Sequence, residues 1–151
     1  MANHSSEGRV SGDGWRVELP HGLIAKPHRA WGYESGLIAR GWIGDAPVTV
    51  VVQVAKLEDG FNAWVRRLTR AWLEHEPPRR IRVPGADDAL RIDGSIEFDG
   101  LGAAGDRERC IAVCAKRRRR AIALTMRCRP EDGVEAELEP IVASFELTET
   151  G

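Results

Sequence analysis

Hydrophobic and polar residues alternate in several short stretches of this 151-residue chain. Residues 15–19 alternate strictly, and Val48, Val50, Val52 and Val54 lie on one face of an extended segment. A period of two residues is typical of β-strands. Further strands are predicted at residues 23–25, 37–43, 79–83, 90–98, 109–115 and 121–128. Residues 90–98 alternate most regularly and predict a strand with one apolar face and one face in water.

Two segments instead have a helical period. Residues 61–73 place apolar side chains at intervals of three and four residues, which predicts an amphipathic helix with one buried stripe. Asp59 is expected to cap its start, and the two prolines at 77 and 78 are expected to end it. The members of the stripe are Phe61, Trp64, Val65, Leu68 and Trp72.

Residues 134–145 show a second helical stripe, interrupted by Pro140. An interior proline removes a hydrogen-bond donor and costs about 3 kcal/mol. We therefore expect either a kink at this position or a helix that ends near Glu139, with a second turn beginning at Pro140.

The order of these elements predicts one α+β domain over residues 14–148, an antiparallel β-sheet flanked by helices. Residues 1–13 are polar and aperiodic and are expected to form a disordered tail. Residues 99–106 are expected to form a glycine-rich loop.

Composition is that of an ordinary globular protein, with 42% hydrophobic and 30% charged residues and a net charge of −1. This balance disfavours a general nucleic-acid-binding protein. The 19 arginines against 3 lysines reflect either codon usage or a need for bidentate anion binding. No signal peptide, lipid-acceptor cysteine or membrane-spanning segment is recognisable, so a cytoplasmic location is expected, with three reduced cysteines.

Three short segments resemble the superfamily that joins the photosystem subunit PsbP, the Ran-release factor of nuclear transport and the bacterial LpqN-type lipoproteins. They are residues 15–20 (WRVELP), 83–92 (VPGADDALRI) and 138–145 (LEPIVASF). The resemblance implies a PsbP-like α/β/α-type sandwich around an antiparallel sheet. It also implies a binding or accessory role, and the LpqN-type relatives suggest proximity to specialised secretion. Members share no active site, so no functional residues can be transferred.

No residues are arranged for catalysis, and neither a cofactor nor a metal site is predicted. The cysteines at 110 and 114 lie about 13 Å apart on a strand, too far for a disulfide or a shared metal. The four histidines have no metal-binding spacing.

Two groups of residues are candidates for partner binding. The first is the basic run Lys116, Arg117, Arg118, Arg119 and Arg120 at a predicted hairpin tip, which is either a solvated loop or a docking point for an anionic partner. The second consists of Trp31, Tyr33 and Trp42, which either pack at the edge of the core or anchor a partner.

The sequence therefore predicts a non-catalytic, cytoplasmic interaction or accessory module. Its partner is either another protein, with an acidic protein as one alternative, or a second copy of the chain. One alternative is an enzyme or small-ligand-binding protein with a pocket between sheet and helix. Another is nucleic-acid or acidic-partner binding through residues 116–120, although the lack of interleaved aromatic residues counts against single-strand binding.

Overall fold

The computed structural model describes residues 4–6, 8–97 and 107–149. The predictions for Phe98 and for the glycine-rich loop lie outside these residues. The helices are α1 (Phe61–Thr69) and α2 (Glu135–Ser144), and a 3-10 turn at Pro130–Asp132 precedes α2. The strands are β1 (His4–Ser6), β2 (Arg9–Gly12), β3 (Trp15–Glu18), β4 (Leu23–Pro27), β5 (Ser35–Ile43), β6 (Ala46–Lys56), β7 (Glu74–His75), β8 (Arg79–Arg80), β9 (Asp88–Glu97), β10 (Arg107–Arg117), β11 (Arg120–Cys128) and β12 (Glu146–Leu147).

The main sheet is antiparallel, with strand order β4-β5-β6-β11-β10-β9. Both β7 and β8 pair with the outer edge of β9, at different points along it. The long strands β6, β10 and β11 form its centre, and β11 pairs with β6 from Cys128 opposite Val48 to Arg120 opposite Lys56. The α+β class and the antiparallel sheet predicted from the alternating segments are confirmed.

The two faces of the main sheet belong to separate hydrophobic clusters. One cluster contains Val48, Val50, Val52 and Val54 together with buried residues of α2 and of the small sheet described below. The other contains Ala55 of β6 together with the buried residues of α1. The four valines at alternate positions of β6 therefore face the layer that contains α2, whereas Ala55 faces the layer that contains α1.

The prediction of a disordered tail over residues 1–13 is wrong where that segment is described. Strands β1 and β2 join β3 and β12 in a small antiparallel sheet, and Val10 is buried. Asp13-Gly14 forms the two-residue turn between β2 and β3, with Gly14 at φ 91°. An Asp-Gly pair is a hairpin signal. The strand β2 was nevertheless not predicted, because it contains only one apolar residue and so shows no alternation.

Helix α1 is shorter than predicted, although its apolar stripe is confirmed. Phe61, Trp64 and Val65 are buried, and Leu68 and Trp72 pack against the same cluster. The helix ends at Thr69, whose hydroxyl donates to the carbonyl of Val65, and the chain then turns to pair with β9 as β7. Main-chain pairing with the sheet thus ends the helix several residues before the prolines.

The predicted N-cap is also wrong. Gly60 occupies the cap position and no side chain caps the helix. The Asp59 carboxylate instead accepts a hydrogen bond of 2.9 Å from Arg67.

Strand β9 does not have the water-facing side that its alternation predicted. Arg91 is only 8% exposed and Ser95 only 5% exposed, although both lie among the polar positions. The Arg91 guanidinium can be buried because it binds two carboxylates, those of Asp93 and of Glu139 on α2. Polar residues at every second position of a strand therefore do not prove that this face is in water, because a charged side chain can be buried when its charge is paired.

Helix α2 continues through Pro140, so of the two expected alternatives the helix end near Glu139 is wrong. Proline removes only the donor that would bind the carbonyl of Ala136, and Ala136 is exposed, so water can satisfy that group. None of the helices formed by the described residues is both long and apolar enough to cross a membrane.

Candidate partner-binding surface

The loop between β4 and β5 carries two of the candidate aromatic residues. Trp31 is 98% exposed, whereas Tyr33 is half-buried and packs against the α1 cluster. The loop is held by several main-chain contacts, including a hydrogen bond of 3.1 Å from the Tyr33 N–H to the carbonyl of Ala30 and one of 2.8 Å from the Glu34 N–H to the carbonyl of Val54. Burial raises the pKa of the Tyr33 hydroxyl. An exposed indole therefore projects from a loop whose main chain is hydrogen-bonded to itself and to β6.

Trp42 does not belong to this surface. It lies near the end of β5 away from Trp31, opposite Pro47 at the start of β6, and is 57% exposed. The 9 residues of β5 extend about 30 Å at ~3.3 Å per residue. The three aromatic residues that the sequence grouped together therefore occupy two separate places.

The basic run forms the tip of the β10–β11 hairpin, as predicted. Lys116 and Arg117 end β10, Arg120 begins β11, and Arg118-Arg119 form the turn. Arg118 has φ 58°, a conformation that usually requires glycine, asparagine or aspartate. Such strain persists only where surrounding contacts impose it.

Two contacts hold the turn from opposite sides. The Asp87 carboxylate accepts a hydrogen bond of 2.6 Å from the Arg118 N–H. The Leu57 N–H donates to the carbonyl of Arg119 at 2.6 Å. Asp87, in the turn before β9, thus positions the basic tip.

Arg120 differs from its neighbours because its side chain is only 24% exposed. Its Nη2 donates to Asp13 at 2.9 Å and to Glu34 at 3.3 Å. Its Nε is buried and has no hydrogen-bond partner among the described residues. A buried donor without an acceptor costs about 1–3 kcal/mol, so the two carboxylate contacts of Nη2 are what stabilise this side chain in place.

The arginines of the tip open onto a cavity of about 490 Å³, which we call the tip cavity. Five cationic side chains line it, together with two carboxylates and the apolar residues Ile122 and Leu147. The cations are Lys56, Arg117, Arg118, Arg119 and Arg120, and the carboxylates are those of Glu34 and Glu149.

A second depression of about 640 Å³ lies between the Trp31 loop and α1, and we call it the tryptophan groove. Trp31 and Tyr33 line one side, and Trp64 and Leu68 of α1 line the other. Glu34 and Lys56 line both the tryptophan groove and the tip cavity. The two depressions are therefore neighbours on one surface.

Sequence reasoning found Trp31, Tyr33 and residues 116–120 but did not identify Glu34, Lys56, Asp13 or Asp87. Each of these is a charged residue with no local pattern that distinguishes it from ordinary surface charge. They reach the tip only through strand pairing, since Lys56 lies opposite Arg120.

The remaining groups offer little chemistry. The cysteines are free and buried, and Cys114 and Cys128 belong to opposite clusters. Burial raises the pKa of Cys110 and Cys114 to about 12 and that of Cys128 to about 11. Within the part of the chain that the structure describes, no group of three or more histidine, cysteine or acidic residues could hold a metal ion.

No protein-family model matches the sequence, and no curated protein matches it significantly. Solved structures of similar fold include one from Bacteroides thetaiotaomicron and one from Synechocystis. A crystal structure from Bacteroides thetaiotaomicron VPI-5482 matches with a TM-score of 0.55 and 9% identity over 89% of this chain, but this chain covers only 45% of that protein. The solution structure of cyanobacterial PsbP (CyanoP) from Synechocystis sp. PCC 6803 matches with a TM-score of 0.55 and 13% identity, over 97% of this chain and 91% of that chain. The protein therefore has a PsbP-like fold.

Proposed function

We propose that this protein is a non-catalytic interaction module that binds an acidic segment of a partner protein. The observation behind the proposal is that an exposed tryptophan on a fixed loop adjoins a cavity lined by five cations. An apolar side chain of the partner would occupy the tryptophan groove, and its acidic residues would lie over the tip cavity.

The exposure of Trp31 supports a contact with a macromolecule. Tryptophan is enriched among the residues that contribute most to protein–protein binding, because it buries a large area with little loss of conformational freedom. The main-chain bonds of its loop reduce the ordering cost that binding would otherwise incur. Trp31 is thus suited to serve as an anchor.

The cations of the tip support an acidic partner. Arg118 and Arg119 are exposed and form no ion pair with a carboxylate among the described residues. Complementary charge accelerates association and selects among partners more than it raises affinity. The tip would therefore determine which segments approach, and the tryptophan groove would hold them.

Other parts of the proposal rest on the sequence and on the resemblance. These are a cytoplasmic location, an α/β/α-type arrangement of the layers and a link to specialised secretion through LpqN-type relatives. Nucleic acid is the weaker alternative, because none of the described residues that line the tip cavity is aromatic, and a base therefore has no side chain there on which to stack.

The test is selection of ligands from a random dodecapeptide display library on the full-length chain. We expect the selected peptides to combine Asp or Glu with an aromatic or aliphatic residue. A selected peptide is then synthesised with a fluorescent label, and its affinity for the protein and its variants is measured by anisotropy.

The chain provides matched controls for both halves of the surface. Trp31→Ala is compared with Trp42→Ala, the same change at the opposite end of β5. The double variant Arg118→Asn, Arg119→Gln is compared with Arg40→Gln, Arg107→Gln, which removes two exposed arginines elsewhere. We expect the first variant of each pair to weaken binding at least about tenfold, equivalent to 1.4 kcal/mol, and the controls to bind as the wild type does. Equal losses within either pair would refute the proposal.

A further inference from the structure

We infer that the tip cavity binds a phosphoryl group, carried by a phosphoserine or phosphothreonine of the partner. This inference rests on the proposed function and specifies the chemistry of the acidic segment. It is carried by the positive charge left unpaired in the tip cavity, the exposed donors of Arg118 and Arg119, and the hydrogen bonds that hold the main chain of the turn.

Charge pairing within the tip cavity leaves several cations available. Glu34 contacts Arg120, and Glu149 contacts Arg117 at 3.8 Å. Lys56, Arg118 and Arg119 form no ion pair with a carboxylate of the described residues. A carboxylate ligand would supply one negative charge, whereas a phosphoryl group carries about −1.5 to −2 at neutral pH. The dianion is the better match for the cations that remain.

The available donors also fit a group with several acceptor oxygens. The exposed side chains of Arg118 and Arg119 supply donors on two adjacent guanidinium groups, and Lys56 adds an ammonium group. Arginine forks present paired donors that match phosphate oxygens. A phosphoryl group offers three strong acceptors, enough to accept hydrogen bonds from these three side chains together.

The backbone of the tip is already set before any ligand arrives. Asp87 and Leu57 bind the main chain of Arg118 and Arg119 from opposite sides, and Arg118 is held at φ 58°. A strained residue fixed by its surroundings is found frequently at ligand sites. Fixing the turn in advance removes part of the entropy cost of gathering several like charges around one anion.

The apolar residues narrow the choice of ligand. Ile122 and Leu147 line the tip cavity and, at 2% and 5% exposure, present a small apolar area that matches the short aliphatic stem of a phosphorylated side chain. Among the described residues, no aromatic side chain lines the cavity, so a nucleotide base would have no stacking partner from this part of the chain. A phosphorylated serine or threonine therefore matches both the charged and the apolar parts of the lining.

The test uses three acetylated and amidated pentapeptides, Ala-Ala-X-Ala-Ala, in which X is serine, glutamate or phosphoserine. Binding to the full-length protein is followed by ¹H–¹⁵N NMR, from the backbone amides of residues 117–120 and from the side-chain Nε–H groups of Arg118 and Arg119. We expect the phosphoserine peptide to shift these signals and to bind at least about tenfold more tightly than the glutamate peptide, since charge-assisted bonds to arginine are the stronger class. The serine peptide should leave them unchanged.

Three variants control the experiment. The double variant that combines Arg118→Asn with Arg119→Gln should weaken binding of the phosphoserine peptide. The single variant Lys56→Gln, at an exposed residue, should weaken it too. The double variant that combines Arg40→Gln with Arg107→Gln is the control and should bind as the wild type does. Asparagine tolerates positive φ, so the first variant preserves the turn. Unchanged binding to both the tip variant and Lys56→Gln would overturn the inference.

Inorganic phosphate distinguishes the two sources of a phosphoryl group. We expect it to shift the same signals but to bind more weakly than the phosphoserine peptide. If it binds as tightly, the site takes free phosphate and the assignment to a phosphorylated partner is overturned. Equal affinity for the glutamate and phosphoserine peptides would also overturn the inference, while the proposed function would still be judged independently by library selection and Trp31→Ala.

Discussion

Removing the charge of Glu139 should expose the energetic role of the buried Arg91. The Arg91 guanidinium donates to both carboxylate oxygens of Glu139 at 2.7 Å and to those of Asp93 at 2.9 and 3.1 Å. These contacts join β9 to α2. Glu139→Gln keeps the length of the side chain but removes its negative charge.

The magnitude follows from the opposing terms. Two unit charges about 4 Å apart attract by about 4 kcal/mol at an effective dielectric constant of 20, and desolvation of the buried arginine offsets part of this. The Glu139 side chain is 51% exposed, so solvent screening reduces the remainder. We therefore expect Glu139→Gln to lower the free energy of unfolding by about 1–2 kcal/mol. Arg91→Met should cost about 2–4 kcal/mol, because it leaves the mostly buried Asp93 carboxylate without its partner.

The assay is a double-mutant cycle measured by urea unfolding at pH 7. The variants are Arg91→Met, Glu139→Gln and the double variant, with the exposed Glu137→Gln on the same helix as control. We expect a coupling energy of about 1–2 kcal/mol between Arg91 and Glu139, and a change below about 0.5 kcal/mol in the control. A coupling energy under about 0.5 kcal/mol would refute the claim that this ion pair holds α2 to the sheet.

The dependence on pH gives a second check. The hydrogen bonds from Arg91 lower the pKa of the Glu139 carboxyl in the folded protein. A lowered carboxyl pKa contributes stability that is present above the unfolded value of about 4.3 and is lost as the pH falls through the folded value. The gap in stability between wild type and Glu139→Gln should therefore shrink as the pH is lowered from about 5 towards 3. A gap of constant size would show that charge is not its cause.

Three further predictions concern the turn, the thiols and the core. Arg118→Gly should raise the free energy of unfolding by about 0.5–1 kcal/mol by relieving the positive φ, as urea unfolding can measure; a loss of stability would mean that the arginine side chain itself supports the turn. Cys110, Cys114 and Cys128 should not react with DTNB in the native protein at pH 8, because they are buried and their raised pKa values keep them protonated. All three should react in urea, and rapid reaction of the native protein would contradict their burial. Trp64→Asp should abolish the near-ultraviolet circular dichroism of the fold by placing an unpaired charge in the core, whereas Trp31→Asp should leave it unchanged; a folded Trp64→Asp variant would show that α1 is dispensable.

The elements predicted best from the sequence are those whose buried face follows a simple period. The valines of β6 and the stripe of α1 were located correctly, because burial of apolar side chains repeats every two residues in a strand and every 3.6 in a helix. The β10–β11 hairpin was located for the same reason. Each of these patterns is local, so neighbouring residues alone contain it.

The errors arise where distant contacts decide the structure. The end of α1 depends on pairing between β7 and β9, and the burial of Arg91 depends on Glu139, 48 residues away. The strand β2 is held by pairing with β3 and by burial of one valine. None of these contacts leaves a periodic trace in the segment that it affects.

The sequence by itself determined the fold class, the central sheet, the helix on one of its faces and a concentration of arginine at one hairpin tip. Local periodicity and local charge density are sufficient for those features. The tertiary structure alone separated Trp31 from Trp42, which have equivalent local sequence signals, and placed Trp31 beside the tip while Trp42 lies at the other end of β5. It also brought Lys56, Asp13, Glu34 and Asp87 to the arginines. Strand register sets these distances, and register depends on the pairing of whole strands rather than on any single segment.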